Sequence, residues 1–139
     1  MSEKSTTSHL VELTRRLLEA VNRRDIDAAM GFFATDAVWE SVGMKTSFEG
    51  RTAIRGFWGD MTVAYEEFEF QLQEILDLGN GVIFGVERAS GRLVGSTGRV
   101  EERYAIVAVW EEGLIVRITS SADIDAARAA AERLAAERG

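Results

Sequence analysis

The chain predicts an α+β fold in which a strongly bent mixed or antiparallel sheet wraps around three helices from its first half and one more helix ends the chain. Three observations predict it. Apolar residues recur at helical spacing over most of the first 65 positions. From there to position 121 they follow strand spacing. Asn80-Gly81 and Glu112-Gly113 divide that second half where two-residue hairpin turns belong. The first-half helices cover only one sheet face. A sheet bent around them encloses a concave space that side chains fill or a ligand occupies.

The first helix spans about residues 8–23. Ser8 is its N-cap, and Leu10, Leu13, Leu17 and Val21 share a face with Leu18 beside them. Asp25 caps a short second helix with the stripe Ile26, Ala29, Met30 and Phe33. Ala37 to Val42 reads as a strand, and Gly43 to Gly50 as a loop or short hairpin arm. The third helix, about Thr52 to Tyr65, places Ile54, Phe57, Trp58, Met61 and Tyr65 on one face. Gly56 and Gly59 cost it roughly 1 kcal/mol each relative to Ala. Either a close neighbour or plain exposure explains them, and helix-on-sheet packing favours the neighbour.

Phe68, Phe70 and Leu72 then alternate with Glu67, Glu69 and Gln71, and a slip of phase at Glu74 and Ile75 predicts a bulge. Strands follow at Val82 to Ser90, Arg99 to Glu111 and Leu114 to Ser121, with the glycine-rich connection Gly91 to Gly98 between the first two. Asp123 caps a last helix, Ile124 to Glu137, rich in Ala. Leu13, Leu17, Phe33, Phe57 and Ile106 are the expected core.

A length of 139 residues suits a single domain, with an ordered core at about 8–128 and a frayed start at 1–7. The absence of cysteine excludes disulfides, thiol nucleophiles and thiolate metal sites, and fits a reducing cytoplasm. A net charge of −7 argues against tracking a phosphate backbone, so no nucleic-acid partner is expected. Arg15, Arg16, Arg23 and Arg24 form a local basic exception, read as a solvated face rather than an anion site. No run of 18 apolar residues predicts a membrane span, and Met1 to Ser8 does not read as a secretory signal. One histidine, His9, and scattered carboxylates give no metal-ligand spacing. Gly91, Gly95 and Gly98 lack the strand–helix setting of a phosphate loop. No metal or cofactor is therefore expected.

Three phrases carry a family resemblance: Asn22-Arg23-Arg24-Asp25-Ile26-Asp27-Ala28-Ala29, Phe33-Ala34-Thr35-Asp36-Ala37-Val38-Trp39, and Phe48-Glu49-Gly50-Arg51-Thr52-Ala53-Ile54-Arg55-Gly56-Phe57-Trp58. With the last hairpin, Glu112 to Ile118, they resemble the nuclear transport factor 2-like superfamily, and its SnoaL-like branch in particular. That resemblance covers about residues 8–128 and implies a cone-shaped fold with an internal pocket. The superfamily includes ketosteroid isomerases, polyketide cyclases and epoxide hydrolases, so it specifies fold far better than function. The general base of ketosteroid isomerases matches Ser41, with Glu40 adjacent but on the opposite face. Their two oxyanion donors match Leu17 and Ile106, which have no side-chain proton to donate. The catalytic set of limonene epoxide hydrolases matches roughly Glu87, Ala89 and Ser120, so it is absent as a set.

The candidate pocket groups follow from alternation. The first strand points Ala37, Trp39 and Ser41 inward. Matching the long strand to the family points Glu102, Tyr104, Ile106, Ala108 and Trp110 inward, with Glu102 at the rim. Strand 82–90 has two readings. Its hydrophobic pattern buries Val82, Phe84 and Val86 and carries Arg88 inward; alignment to the family turns Ile83, Gly85, Glu87 and Ala89 inward instead. A one-residue slip separates the two. An inward Glu87 is the best general base in the chain, since burial among aromatics raises a carboxyl pKa toward neutrality. Trp39, Ser41, Trp58, Tyr104, Arg88 and Ser120 are the expected ligand contacts.

The sequence thus predicts a protein that binds a small, largely apolar molecule, acting as a cofactor-free isomerase, cyclase or hydrolase, or else as a non-catalytic binding or interaction module. Apolar residues at both parities of the central strands also predict a homodimer through the outer sheet face.

Overall fold

Two turns and three polar caps set the boundaries of the elements. A computed structural model describes residues 8–139, and the frayed start expected at 1–7 lies outside the described residues. The order is α1 (His9–Asn22), α2 (Ile26–Met30), β1 (Phe33–Ser41), β2 (Thr46–Glu49), α3 (Arg51–Ala64), β3 (Tyr65–Asp77), β4 (Val82–Leu93), β5 (Val100–Glu111), β6 (Leu114–Ser121) and α4 (Ile124–Arg138). Side-chain oxygens of Ser8, Asp25 and Asp123 accept from the Val11, Ala28 and Ala126 N–H groups, each satisfying a helix donor that has no partner within its helix. Asn80-Gly81 and Glu112-Gly113 both take positive φ at both positions (56° and 83°; 52° and 81°), as hairpin turns that follow strand twist require.

The strands form one sheet in the order β2-β1-β6-β5-β4-β3. Neighbours are antiparallel except β1 and β6, which run parallel, so the sheet is mixed. β1 starts earlier than its composition suggests, which makes Phe33 a strand residue rather than part of the α2 stripe. The Gly43–Gly50 arm contains a short edge strand. The expected bulge lies between Leu72 and Glu74, where the pairing of β3 with β4 shifts register. It keeps Ile75 against the inner core and frees Glu74 for the outer face.

Helices α1, α2 and α3 fill the concave face. Leu17, Phe33 and Ile106 are buried there as expected, while Leu13 and Phe57 are partly buried against the same cluster. The convex face holds a second cluster, and it decides between the two readings of strand 82–90. Val82, Phe84, Val86, Ala105 and Val107 pack beneath Ala131 and Ala135 of α4. The hydrophobic reading of β4, which turned Val82, Phe84 and Val86 toward the pocket, is therefore reversed. A covering helix makes the outer face as apolar as the inner one, and apolarity at both parities then needs no second chain.

Polar anchors fix α4 in place. Arg128 reaches both carboxylate oxygens of Glu74 at 2.8 and 3.0 Å and lies 4.6 Å from the Phe84 ring centre. Asn80 of the hairpin turn donates to the Ala135 carbonyl at 2.6 Å, and Arg138 returns a bond to the Asn80 carbonyl at 2.9 Å.

Two residues of the Asn22–Ala29 phrase close the cone on its other side. The Asn22 amide donates to the Phe70 carbonyl at 3.0 Å and accepts from the Phe70 N–H at 2.8 Å, pairing with edge strand β3 as a neighbouring strand would. Arg24, at φ 62°, donates to the carbonyls of Thr62, Tyr65 and Glu66 and lies over the Phe68 ring. It is a structural clamp between the α1–α2 turn and the start of β3, not part of a solvated basic face.

The helix glycines are open rather than crowded: a Cβ at Gly56 or Gly59 meets nothing within 4 Å. Gly91 is the opposite case, since its Cβ would lie 2.9 Å from the Glu67 carbonyl and from the Tyr65 ring. Gly56→Ala should therefore raise the unfolding free energy by about 0.5–1 kcal/mol. Gly91→Ala should lower it, because the β3 backbone has to move. Urea titration of both variants checks this, and a destabilised Gly56→Ala would mean that α3 packs more tightly than described.

Candidate functional site

The inner cluster leaves a cavity between α1 and the sheet. α1 contributes Thr14, Leu17, Leu18 and Val21, and α3 contributes Trp58. Trp39 comes from β1, Phe70 from β3, Glu87 from β4, and Tyr104, Ile106 and Ala108 from β5. Met30, Phe33, Ile115 and Ile118 complete the wall. These residues converge because β4 and β5 pair Glu87 directly opposite Tyr104, and the sheet curls until β1 and β3 face the same helix.

The volume is about 40 Å³. For comparison, a dry cavity of about 150 Å³ holds a benzene, and one water needs about 10–15 Å³. The space as it stands admits a few waters or a compact ligand. A larger guest requires aromatic side chains to move. Four rings border it in contact with one another: Trp39 and Trp58 have centres 5.3 Å apart, Trp58 and Phe70 5.6 Å, and Phe33 and Trp39 6.5 Å.

Glu87 is the one carboxylate in the wall, and it is only 5% exposed. Its Oε1 accepts a hydrogen bond from the Tyr104 hydroxyl at 2.9 Å. Desolvation raises its pKa from 4.5 to about 7, with the Tyr104 bond opposing the rise. The Tyr104 phenol is pushed up by burial and by the neighbouring Glu87 charge, so it stays protonated. The pair therefore presents one carboxyl group poised near neutrality and one phenol whose proton is already committed.

Two other donors in the wall are also committed, while the Trp58 indole N–H has no acceptor among the described residues. The Thr14 hydroxyl donates to the Leu10 carbonyl at 2.8 Å, and the Trp39 indole N–H points to Ser120 Oγ at 3.4 Å. Leu17 and Ile106 line the cavity as apolar surface. Among the described residues, no three metal-ligating side chains converge.

Of the residues singled out from the sequence, Glu87, Trp39, Trp58 and Tyr104 meet at this cavity. Arg88 does not: it lies on the outer face, paired with Glu101 at 2.7 Å, because the true parity of β4 is the one that turns Glu87 inward. Ser41 lies beyond the wall, and its Oγ accepts from the Met44 N–H at 3.4 Å in a local turn. Ser120 takes part only through Trp39. Glu102 is exposed. Thr14 and Phe70 were not foreseen as pocket residues. The signal for Thr14 was its position on the buried α1 stripe with Val11, Leu17 and Val21, which a strictly apolar search passes over.

The Glu87 environment has a consequence for stability. A carboxyl whose pKa is higher in the folded state binds its proton more tightly there. Its contribution is fully retained below the unfolded pKa near 4.5 and is lost as pH rises through about 7. The displacement amounts to on the order of 3 kcal/mol. Relative to Glu87→Gln, which stays neutral, the native protein should lose about 2–3 kcal/mol of unfolding free energy between pH 5 and pH 8. Urea unfolding of both proteins at the two pH values checks it, and parallel pH dependences would show that the carboxyl is solvated.

Comparison with known proteins agrees with this geometry at the level of fold. A protein of ketosteroid isomerase-like fold from Catenulispora acidiphila, determined in complex with trimethylamine, superposes with a TM-score of 0.74 at 14% identity, covering 84% of this chain and 86% of that one. TerC, co-crystallised with polyporic acid, superposes at 0.72 and 14% identity over 90% and 99% of the two chains. A candidate polyketide cyclase from Xanthomonas campestris superposes at 0.65 and 21% identity over 78% and 86%. At these identities the likeness is one of fold. No curated protein matches the sequence. The family description of the SnoaL-like domain matches residues 14–118, and with most of the chain so covered, this protein belongs to the SnoaL-like domain family.

Proposed function

We propose that the inner cavity binds a compact, largely apolar molecule and that Glu87 exchanges a proton with it. The observation that carries this reading is a single desolvated carboxyl group, with a pKa of about 7, in a wall otherwise built from aromatic and aliphatic side chains. A group titrating near the working pH is ready to take or give a proton, which is what acid–base catalysis asks of it. Tyr104 acts as a positioning residue, since its hydroxyl holds Glu87 Oε1. Its ring also forms part of the wall. Two proteins of this fold obtained with small molecules, trimethylamine and polyporic acid, support the pocket as a place for a guest. On this reading the protein is a cofactor-free isomerase, cyclase or hydrolase of compact substrates.

A second reading, a non-catalytic binding module, is favoured by one specific observation. Leu17 and Ile106, which the family resemblance matches to the oxyanion donors of ketosteroid isomerases, are apolar wall residues, so negative charge developing on a carbonyl oxygen gains no hydrogen bond from their side chains. The two readings differ in whether the proton leaves a carbon atom.

A panel of compact ketones, alcohols, phenols and amines, followed by nuclear magnetic resonance of the Trp39 and Trp58 indoles, tests both. Binders should shift those two signals, and Glu87→Gln should weaken hydrogen-bonding members about tenfold. For a bound ketone, deuterium exchange at the carbon next to the carbonyl should run about tenfold faster at pH 8 than at pH 6, following ionisation of Glu87. Binding without exchange would leave the module reading. A panel with no binder, or binders that leave both indoles unmoved, would remove the pocket from the function.

A further inference from the structure

We propose that the cavity is selective for small organic cations, and that its guest is a compact alkylammonium group held by Glu87 against the aromatic wall. This rests on the pocket reading above and names the ligand class. Three independent features of the cavity point the same way.

The first is uncompensated charge. Glu87 lies inside with no basic side chain beside it among the described residues. Arg88 is its neighbour in sequence but faces outward to Glu101, and Arg103, opposite Arg88 on β5, reaches out to Gln73. A buried carboxylate without a counterion is costly, and a cationic guest supplies the missing partner.

The second is the wall. The Trp39, Trp58, Phe33 and Phe70 rings and the Tyr104 ring surround the space, and aromatic faces attract alkylated ammonium groups through their quadrupoles. The third is a shortage of offered hydrogen, since among the described residues the Trp58 indole N–H is the one donor of these wall side chains without an acceptor. Thr14, Tyr104 and Trp39 direct their polar hydrogens at the protein. Carboxylates, phosphates and carbonyl compounds, which need donors, meet none from these three groups. A cation needs an acceptor, and among the described residues no group donates to Oε2 of Glu87. The volume of about 40 Å³ admits methylammonium as it stands, and tetramethylammonium or tert-butanol once the aromatic rings move apart.

The groups facing Glu87 define the pH response. From β5 these are Tyr104 and, outside the lining, the exposed Glu102, whose charge adds to the rise at Tyr104. α1 contributes Thr14, Leu17 and Leu18, α3 contributes Trp58, β1 contributes Trp39, and β3 contributes Phe70, none of which titrates. The binding of a permanent cation should therefore follow Glu87 alone through neutrality.

The experiment compares tetramethylammonium with the neutral tert-butanol, using methylammonium as a smaller cation and acetate as an anion. Titrations follow tryptophan fluorescence and calorimetry at pH 6 and pH 8. At pH 8 tetramethylammonium or methylammonium should bind at least tenfold more tightly than tert-butanol, and acetate should not bind. The affinity for tetramethylammonium, whose own charge does not titrate, should fall about tenfold at pH 6 as Glu87 takes its proton. Glu87→Gln should bind cation and alcohol alike, and its retained alcohol binding shows that the cavity is intact. The pH comparison on the unmodified protein needs no variant, so a variant that fails to fold leaves the test standing. If tert-butanol binds as well as the cations, or the cation affinity is flat with pH, the selectivity proposal is overturned while the pocket reading survives. If none of the four binds, both fall together.

Discussion

Strand β4 is buried on both faces, and the rest of the molecule is arranged around that constraint. Val82 to Glu87 are all shielded from solvent, as are Ala105 to Trp110 on the neighbouring β5. One face meets α1, α2 and α3; the other meets α4. Each buried Val, Ile or Phe contributes roughly 1.5–3 kcal/mol, and the outer set Val82, Phe84 and Val86 is more apolar than the inner Ile83, Gly85 and Glu87, so the apolar pattern of β4 does not by itself turn Glu87 inward. Register is therefore set elsewhere, by the turn geometry of Asn80-Gly81 and by the close crossing at Gly91, where only a glycine lets β3 pass. With those points fixed, Glu87 has no choice of face.

That placement creates the chemistry. A carboxyl on the outer surface of this sheet finds an arginine, as Glu101 finds Arg88 and Glu40 finds Arg117. Glu87 finds a phenol instead, and one neutral hydrogen bond does not offset the loss of water. The raised pKa is the measure of that imbalance. The same burial that makes the residue expensive makes it available for proton exchange, the usual exchange of stability for function at a site.

The cone needs closing devices as well as a core, because a bent sheet leaves edge strands that tend to peel. Asn22 supplies a two-point pairing to Phe70, and Arg24 gathers three carbonyls at the junction of α3 and β3. On the convex side, Asn80 and Arg138 tie the end of α4 to the hairpin that sets the β4 register. Turn, helix end and strand register are thus one connected unit. The pocket residues it positions come from α1, α2, α3, β1, β3, β4, β5 and β6, segments that lie far apart in sequence.

Periodicity, caps and turn dipeptides determined the elements, their order and the bulge after Leu72, because each depends on neighbours within a few positions. Alternation placed Trp39 inward on β1, whereas the inward Tyr104 on β5 came from matching that strand to the family. Helical spacing also placed Trp58 on the buried face of α3. Only the tertiary structure decided the face of β4. The sequence offered Glu87 or Arg88, and hydrophobicity favoured the wrong one, because the helix that covers Val82, Phe84 and Val86 lies some 40 residues further along the chain. Arg24 was misread for a related reason: nothing near it in sequence shows the carbonyls it serves. Cavity size, too, belonged to packing, since aromatic residues at suitable spacings fill a space or border one, and only their final ring positions decide which.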